Sequence, residues 1–238
     1  MVFAVVLAGG KGSRMGNSDT PKQFLKLGKS PIIVQTVEKF YVNSKFEKVI
    51  VLCPEQWVSH TSNILRKSIP DDSRVTVISG GNTRNETLYN AIKYIEENYG
   101  LDDDTIIVTH DAVRPFVTHR IIEENIEAAE KYGACDTVVP ATDTIVQSAK
   151  GDIINSVPNR AELFQGQTPQ SFKAKKLKEL YESLTDEEKD VMTDACKIFV
   201  IKGEPVHLVQ GEVFNMKITY PFDLRVAQTM IEGAITND

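Results

Sequence analysis

The sequence predicts an α/β fold in which a mostly parallel, twisted, Rossmann-like sheet carries helices on both faces. Short apolar runs rich in valine and isoleucine alternate along the chain with amphipathic stretches of helical periodicity, which is the pattern of βαβ units. The chain is 238 residues long and 41% hydrophobic, so one domain can bury a full core. Its cysteines include no C-x-x-C pair, which argues against a zinc or disulfide framework.

The first part of the chain alternates between predicted strands and helices. The run at residues 2–7 is apolar and β-branched, as expected of a buried parallel strand. Pro31 suits the start of a helix whose apolar positions continue to Phe40. A glycine-rich turn at residues 80–82 precedes a long helix, with Asn82 or Thr83 as its N-cap. The predicted strands are residues 2–7, 48–53, 74–79 and 104–111, and the helices that follow them end near residues 40, 67, 99 and 132.

The periodicity changes after residue 132. Residues 136–145 are strand-like, and residues 151–172 carry turn residues and short β runs without a helical face. We therefore expect a protruding β-arm at about residues 137–165 that leaves the sheet and packs on a second subunit. The elements predicted beyond it are helices at residues 175–184 and 193–202, a strand at 206–209 and a final helix after Pro221.

The loop after the first strand has the composition of a polyphosphate site. Glycines let a ligand approach the backbone closely, and backbone N–H groups in such a loop form a concavity that binds anions. Cations in the same loop neutralise bound phosphate groups. The residues concerned are Gly9, Gly10, Lys11, Gly12, Arg14, Gly16 and, a few positions later, Lys22.

Two familiar phosphate-binding loops do not fit this spacing. The dinucleotide fingerprint G-x-G-x-x-G requires glycine where the chain has Met15, and no strand ending in an acidic residue follows about twenty residues later. A Walker A loop ending at residues 28–30 requires glycine where the chain has Gln23. The sequence thus argues against a hydride cofactor and against a P-loop.

The charge balance favours a small anionic ligand. The net charge is −6, which argues against general nucleic-acid binding and makes the loop cations a local exception. No apolar run approaches the ~18 residues of a membrane helix, and the apolar start lacks the basic segment of a signal peptide. We expect a cytoplasmic protein that binds neither nucleic acid nor membrane.

Three segments should meet at one edge of the sheet. In open α/β sheets ligands bind beyond the carboxyl ends of the strands, and the glycine loop, the turn at residues 80–82 and the HDAVRPF segment at residues 110–116 all follow predicted strands. Asp111 is the candidate metal ligand there, because Mg²⁺ prefers hard oxygen ligands and takes few carboxylates beside substrate phosphates.

Nine segments resemble the sugar-alcohol phosphate cytidylyltransferases in order and approximate spacing. They are LAGGKGSRMG, PKQF, GGNTRNET, HDAVRPF, DTI, PNR, QGQTPQSF, TDACKIF and FNMKIT. The family has a methylerythritol phosphate branch, which serves isoprenoid synthesis, and a ribitol 5-phosphate branch, which makes CDP-ribitol for teichoic acids. LAGG, QGQTPQ and TDACKIF are more similar to the second branch. The resemblance also implies the fold type of the nucleotide-diphospho-sugar transferases.

The reaction implied by the resemblance is transfer of CMP from CTP to D-ribitol 5-phosphate, with release of pyrophosphate. The alternative acceptor is 2-C-methyl-D-erythritol 4-phosphate. An alternative of a different class is a nucleotide-binding α/β domain without catalysis, or an oxidoreductase domain, against which the glycine spacing counts. A phosphate nucleophile is already ionised and needs no general base, so we favour a structural role for His110.

The resemblance implies roles for residues in each segment. Arg14, Lys22 and Lys217 would be catalytic cations beside the transferring phosphate. Asp111 would hold Mg²⁺ or another divalent cation, and Phe214, where the isoprenoid branch tends to carry an acidic residue, argues against a second carboxylate on the metal. The residues implied for CTP are Leu7, Ala8, Gly9, Gly10, Lys11, Gly81, Asn82, Thr87 and Ala112, and those for the acceptor are Thr144, Arg160 and Thr193, with Thr168 and Gln170 shaping the same pocket.

The resemblance also implies a homodimer. In the family, the residues that correspond to Thr144 and Arg160 lie on the arm that reaches the neighbouring subunit's site. A ribulose-5-phosphate reductase that supplies the acceptor is a further candidate partner.

Overall fold

The fold is described from a computed structural model, which covers residues 1–10, 12–15, 20–69, 72–190 and 194–235. The strands of these ranges are β1 (Val2–Leu7), β2 (Lys26–Leu27), β3 (Ser30–Pro31), β4 (Lys48–Cys53), β5 (Val75–Ser79), β6 (Ile106–Asp111), β7 (Ala134–Pro140), β8 (Phe164–Lys173) and β9 (His207–Gln210). The helices are α1 (Ile32–Tyr41), α2 (Val58–Ser68), α3 (Arg84–Tyr99), α4 (His119–Tyr132), α5 (Ala174–Glu182), α6 (Asp186–Asp190), α7 (Ala195–Ile201) and α8 (Pro221–Ile235).

The main sheet of the described residues has seven strands in the order β5-β4-β1-β6-β8-β7-β9. Strands β5, β4, β1 and β6 run parallel, and β9 is parallel to β7. Strand β8 runs antiparallel to both of its neighbours. The short strands β2 and β3 form a separate antiparallel pair. The predicted mostly parallel α/β sheet is confirmed.

Helices cover both faces of this sheet. Phe40 of α1, Leu65 of α2 and Ile122 of α4 belong to the core on one face. Leu88 of α3 and Phe199 of α7 belong to the core on the other. Strand β1 contributes alternate residues to the two cores, which explains its continuous apolar run. No helix in the described ranges is long and apolar enough to cross a membrane.

The predicted course of the chain after α4 needs correction. Strand β7 ends at Pro140 rather than near residue 145, and β8 lies inside the sheet between β6 and β7. The first and last residues of the expected arm at residues 137–165 therefore belong to strands β7 and β8 of the sheet. The remaining residues, 141–163, lie outside the named strands. Strand β8 lacks an apolar run because its buried polar groups are bonded within the fold: the Ser171 hydroxyl contacts Asn125 Oδ1 at 3.1 Å, for example.

Candidate active site

A cavity of about 340 Å³ opens where β1, β6 and the turn before α3 reach the same edge of the sheet. Most of the residues predicted from the sequence line it. They are Leu7, Ala8, Gly9, Gly10, Arg14, Lys22, Gly81, Asn82, Thr87, Asp111, Ala112 and Lys217. Lys11 and Thr193 lie outside the described residues. The glycine loop, the turn at residues 80–82 and Asp111 meet there, as the predicted edge required, and Lys217 and Thr219 join them from the last part of the chain.

The glycine loop presents backbone to the cavity. A side chain built at Gly9 or Gly10 would meet nothing within 4 Å, so the space beside them is open rather than filled by the protein. Gly12 has φ +69°, a conformation that favours glycine. A Cβ there would also lie 3.3 Å from the backbone nitrogen of Lys22, which is a tight contact. The loop is tied to the following segment because Gln23 Nε2 donates to the Ala8 carbonyl at 2.8 Å.

Lys22 is held as a buried cation beside other cations. Its side chain is only 7% exposed, and Nζ donates to the Ile218 carbonyl at 2.9 Å. Burial, with the nearby charges of Lys217 and Arg14, lowers the pKa of Lys22 from 10.5 to about 8. A bound anion would relieve this electrostatic cost, so the geometry favours a phosphate ligand at Lys22.

The turn before α3 is fixed by a capping box. Thr83 is the N-cap, and its hydroxyl accepts from the Glu86 N–H at 3.1 Å. The Glu86 carboxylate in turn accepts from the Asn82 N–H at 2.7 Å. The Thr87 hydroxyl accepts from the Gly81 N–H at 3.0 Å and donates to the Thr83 carbonyl at 2.7 Å. Since these contacts hold the turn rigidly, Gly81 and Asn82 face the cavity in a defined conformation.

Asp111 is the centre of a cluster of cations. Its Oδ1 lies 2.5 Å from Arg84 Nη1, and its Oδ2 lies 2.9 Å from Lys217 Nζ and 3.5 Å from Arg114 Nε. Burial alone would raise the pKa of Asp111, but the charges of Arg84, Lys217 and Arg114 outweigh it and hold that pKa well below its usual range. The carboxyl group is therefore ionised, and it fixes three cations around the cavity.

The single carboxylate of Asp111 fits a divalent cation whose other ligands are mainly phosphate oxygens of the bound substrate. The described residues contain no group of three or more histidine, cysteine, aspartate or glutamate side chains placed to hold a metal ion. An ionised carboxylate is nevertheless a hard oxygen ligand of the kind Mg²⁺ prefers together with phosphate oxygens. Because Arg84 and Lys217 occupy its two oxygens, one of these cations would have to move to a phosphate group when a metal binds.

His110 is a buried residue that holds the backbone next to Asp111 through hydrogen bonds. It is fully buried, with Nε2 3.0 Å from the Arg114 carbonyl and Nδ1 3.0 Å from the Thr168 hydroxyl. Because a carbonyl only accepts, Nε2 carries the proton and the Thr168 hydroxyl donates to Nδ1. The same hydroxyl accepts from the Asp111 N–H at 3.1 Å. Burial lowers the pKa of His110 to about 4, so a neutral ring fixes the backbone around Asp111.

The residues predicted for the acceptor are not part of this cavity. Thr144 and Arg160 are exposed and lie within residues 141–163, and Arg160 Nη1 donates to the Thr142 carbonyl at 2.9 Å. Neither residue lines the cavity. Their predicted role requires a second subunit and stays a prediction.

The sequence left several lining residues without a role. Arg84, within the GGNTRNET segment, pairs directly with Asp111. Its position one residue after a predicted N-cap was the available signal, because the N-terminus of a helix favours anionic ligands. Other lining residues that were not predicted as site residues are Gln23, Thr83, Val113 and Thr219.

Comparisons with known proteins give the family of the chain. Residues 2–233 match the family model of 2-C-methyl-D-erythritol 4-phosphate cytidylyltransferase, IspD. The IspD structure from Francisella tularensis has 26% identity and a TM-score of 0.79, covering 96% of this chain and 98% of that one. The 2-C-methyl-D-erythritol 4-phosphate cytidylyltransferase structure from Thermus thermophilus has 26% identity and a TM-score of 0.73, with coverages of 98% and 100%.

A third structure extends the likeness in fold. The 4-diphosphocytidyl-2C-methyl-D-erythritol synthase from Anaerococcus prevotii has 24% identity and a TM-score of 0.78, covering 97% of this chain and 96% of that one. The family match spans nearly the whole chain and includes every described segment that lines the cavity. The chain therefore belongs to the IspD family of CTP-dependent cytidylyltransferases and is a nucleotidyltransferase.

Proposed function

We propose that the protein transfers CMP from CTP to the phosphate group of a sugar alcohol. The observation that carries this proposal is the set of cations, Arg14, Lys22, Arg84 and Lys217, that lines one cavity beside the glycine loop. In the reaction an acceptor phosphate oxygen forms a bond to the α-phosphorus of CTP. The bond from that phosphorus to the bridging oxygen breaks, and pyrophosphate leaves with the electron pair.

The residues of the cavity can align and neutralise the reacting phosphates. Such a displacement needs no covalent enzyme intermediate, so catalysis depends on position and on charge stabilisation. Lys22 and Lys217 would meet the α-phosphate, with Arg14 beside the leaving pyrophosphate. Asp111 keeps Lys217 and Arg84 pointed at the cavity before substrate arrives. A Mg²⁺ ion held by Asp111 and the phosphates would add further neutralisation.

The turn at residues 80–83 is the proposed base site. Its N–H and side-chain groups are fixed by Glu86 and Thr87. Short polar groups in a narrow site can accept a pyrimidine and exclude the larger purines. We assign Gly81, Asn82 and Thr87 to recognition of the cytosine.

The comparisons favour 2-C-methyl-D-erythritol 4-phosphate as the acceptor. The matching family model and the similar solved structures carry the name of that reaction or its product. They support the expected ribitol 5-phosphate specificity only at the level of the shared family. Ribitol 5-phosphate remains the second candidate because LAGG, QGQTPQ and TDACKIF are more similar to the ribitol branch.

Further parts of the proposal concern the assembly. We assign Thr144 and Arg160 to the acceptor pocket of a neighbouring subunit in a homodimer, since both are exposed on residues 141–163. Thr193 precedes α7 and is assigned to the same pocket, and Lys11 to the triphosphate. A reductase that makes ribitol 5-phosphate is a partner only if ribitol 5-phosphate is the acceptor. The reaction would take place in the cytoplasm, where CTP is made.

The test is pyrophosphate release from CTP with each acceptor in parallel. We expect release that depends on one of the two sugar-alcohol phosphates, and the preferred acceptor is the one with the higher kcat/KM. Lys22→Ala should lower kcat strongly, whereas Lys29→Ala, at an exposed lysine outside the cavity, should not. Absence of acceptor-dependent release from the wild-type protein with both acceptors would overturn the proposal.

A further inference from the structure

A second polar cluster lies on the same face of the sheet as Asp111. Asp136 of β7 is paired in register with Gln170 of β8, which is paired in turn with Thr109 of β6. Directly opposed residues share a face, and so do residues two apart along one strand. Thr109 lies two residues before Asp111 on β6, so the side chains of Thr109, Gln170 and Asp136 lie on the same face of the sheet as that of Asp111. With neighbouring strands about 4.8 Å apart, Asp136 lies two strands, or about 10 Å, across the sheet from Thr109.

The cluster has more hydrogen-bond acceptors than donors. Gln170 Nε2 donates to Asp136 Oδ1 at 3.1 Å. The Gln170 side chain is 4% exposed, yet its Oε1 has no hydrogen-bond partner. Within the described ranges no lysine, arginine or histidine forms an ion pair with Asp136, unlike Asp111. A buried acceptor without a donor is costly to leave unpaired. Gln170 Oε1 is too buried for a ligand to reach, whereas Asp136 is only half-buried, so Asp136 is the acceptor suited to a ligand that donates hydrogen bonds.

Asp136 is half-buried, and the backbone around it is irregular. The register of β7 against β8 shifts immediately after this residue, between Asp136 and Val138. Such irregularities commonly re-aim side chains beside active sites. Gly166 lies next to the shift, and a Cβ there would come within 3.4 Å of Asp136 Oδ2. Glycine thus keeps a side chain from packing on this side of that oxygen.

The electrostatic surroundings favour a neutral donor over a cationic one. The pKa of Asp136 is raised to about 6, chiefly by burial and also by the charge of Asp194, although the Gln170 hydrogen bond and the charges of Arg114 and Arg84 lower it. The carboxyl group is therefore ionised at neutral pH in spite of its burial. The same two arginines repel a cation, whereas hydroxyl groups can bond to a carboxylate without bringing charge. Perturbed carboxyl groups of this kind are found preferentially at functional sites.

We propose that Asp136, oriented by Gln170, accepts hydrogen bonds from the hydroxyl groups of the polyol phosphate acceptor. The proposal rests on the proposed function and identifies how this chain reads the acceptor. The polyol chain would run across the sheet from the phosphate end at Lys217 toward β7. Methylerythritol phosphate has one hydroxyl group fewer than ribitol phosphate and carries a methyl branch, so it can donate fewer hydrogen bonds to the cluster.

Calorimetric titration with D-ribitol 5-phosphate and with pentyl phosphate tests the proposal. The second ligand has the same chain length and no free hydroxyl groups. We expect wild-type protein to bind ribitol 5-phosphate at least about tenfold more tightly, as charged hydrogen bonds allow. Asp136→Asn should reduce this ratio to about threefold or less by the loss of charge. Asp104→Asn, at a highly exposed carboxylate, should leave the ratio unchanged.

The outcomes separate the specific role from others. If Asp136 only stabilises the sheet, Asp136→Asn lowers the melting temperature but keeps the wild-type ratio, and the proposal is wrong. Equal binding of both ligands by the wild type also overturns it. Pyrophosphate release is measured separately: release with an unchanged ratio in Asp136→Asn rejects this inference alone. The expected ratios without release from either acceptor would reject the transfer reaction and leave polyol recognition standing.

Discussion

Replacing Asp111 by asparagine tests the electrostatic design of the cavity. Asp111 is 5% exposed and Arg114 is 9% exposed, and breaking a buried pair by removing one partner costs about 3–5 kcal/mol. The side chains of Arg84 and Lys217 are 28% and 39% exposed, so both can regain water, and their contribution is small. We therefore expect Asp111→Asn to lower the free energy of unfolding by about 3 kcal/mol, the lower end of that range.

Urea unfolding followed by the fluorescence of Trp57 measures this loss. With an m value of about 3 kcal/mol/M, the midpoint should fall by about 1 M. Asp104→Asn, which removes an exposed partner of Lys173, should move it little. Saturating CTP should narrow the gap between Asp111→Asn and wild type, because the triphosphate supplies negative charge to the same cations. A midpoint within about 0.2 M of wild type would refute the compensating role of the carboxylate.

Two further predictions concern Lys22 and Gly81. The kcat/KM for CTP, which reports the free enzyme, should fall as pH rises through about 8 because Lys22 then loses its charge. Lys22→Arg should move this fall to higher pH, and an unchanged profile would count against Lys22 as the titrating group. A Cβ at Gly81 would lie 2.4 Å from Glu86 Cγ, so Gly81→Ala should break the capping box, cost about 1 kcal/mol of stability and weaken CTP binding in calorimetry. Wild-type affinity in Gly81→Ala would show that the turn does not hold the nucleotide.

The strands that could be predicted from the sequence are those whose burial on both faces requires apolar residues. Strands β1 and β6 are covered on both faces, so their apolar runs could be recognised directly. Strand β8 was not predicted as a strand of the sheet, because its centre carries polar residues whose partners come from other elements, as with Ser171 and Asn125. Local periodicity carries no information about such partners.

The candidate site shows the same division. Asp111 and the glycine loop were predicted together because the carboxyl ends of parallel strands meet at one edge. The contact between Lys22 and Ile218 joins residues 196 positions apart, and periodicity could not bring them together; only the family resemblance pointed to Lys217. Asp136 was not predicted as a site residue, because its Gln170 partner and its glycine neighbour are consequences of register.

Phosphorus-31 NMR of a mixture of CTP, one sugar-alcohol phosphate, Mg²⁺ and the purified protein tests CMP transfer most directly. The account predicts that the three CTP signals and the acceptor monoester signal disappear together. They should be replaced by pyrophosphate and by the paired signals of a nucleoside diphosphate ester. Formation of CDP and inorganic phosphate would show cleavage at the γ-phosphate instead. That result, or unchanged spectra with both acceptors, would contradict the transfer of CMP.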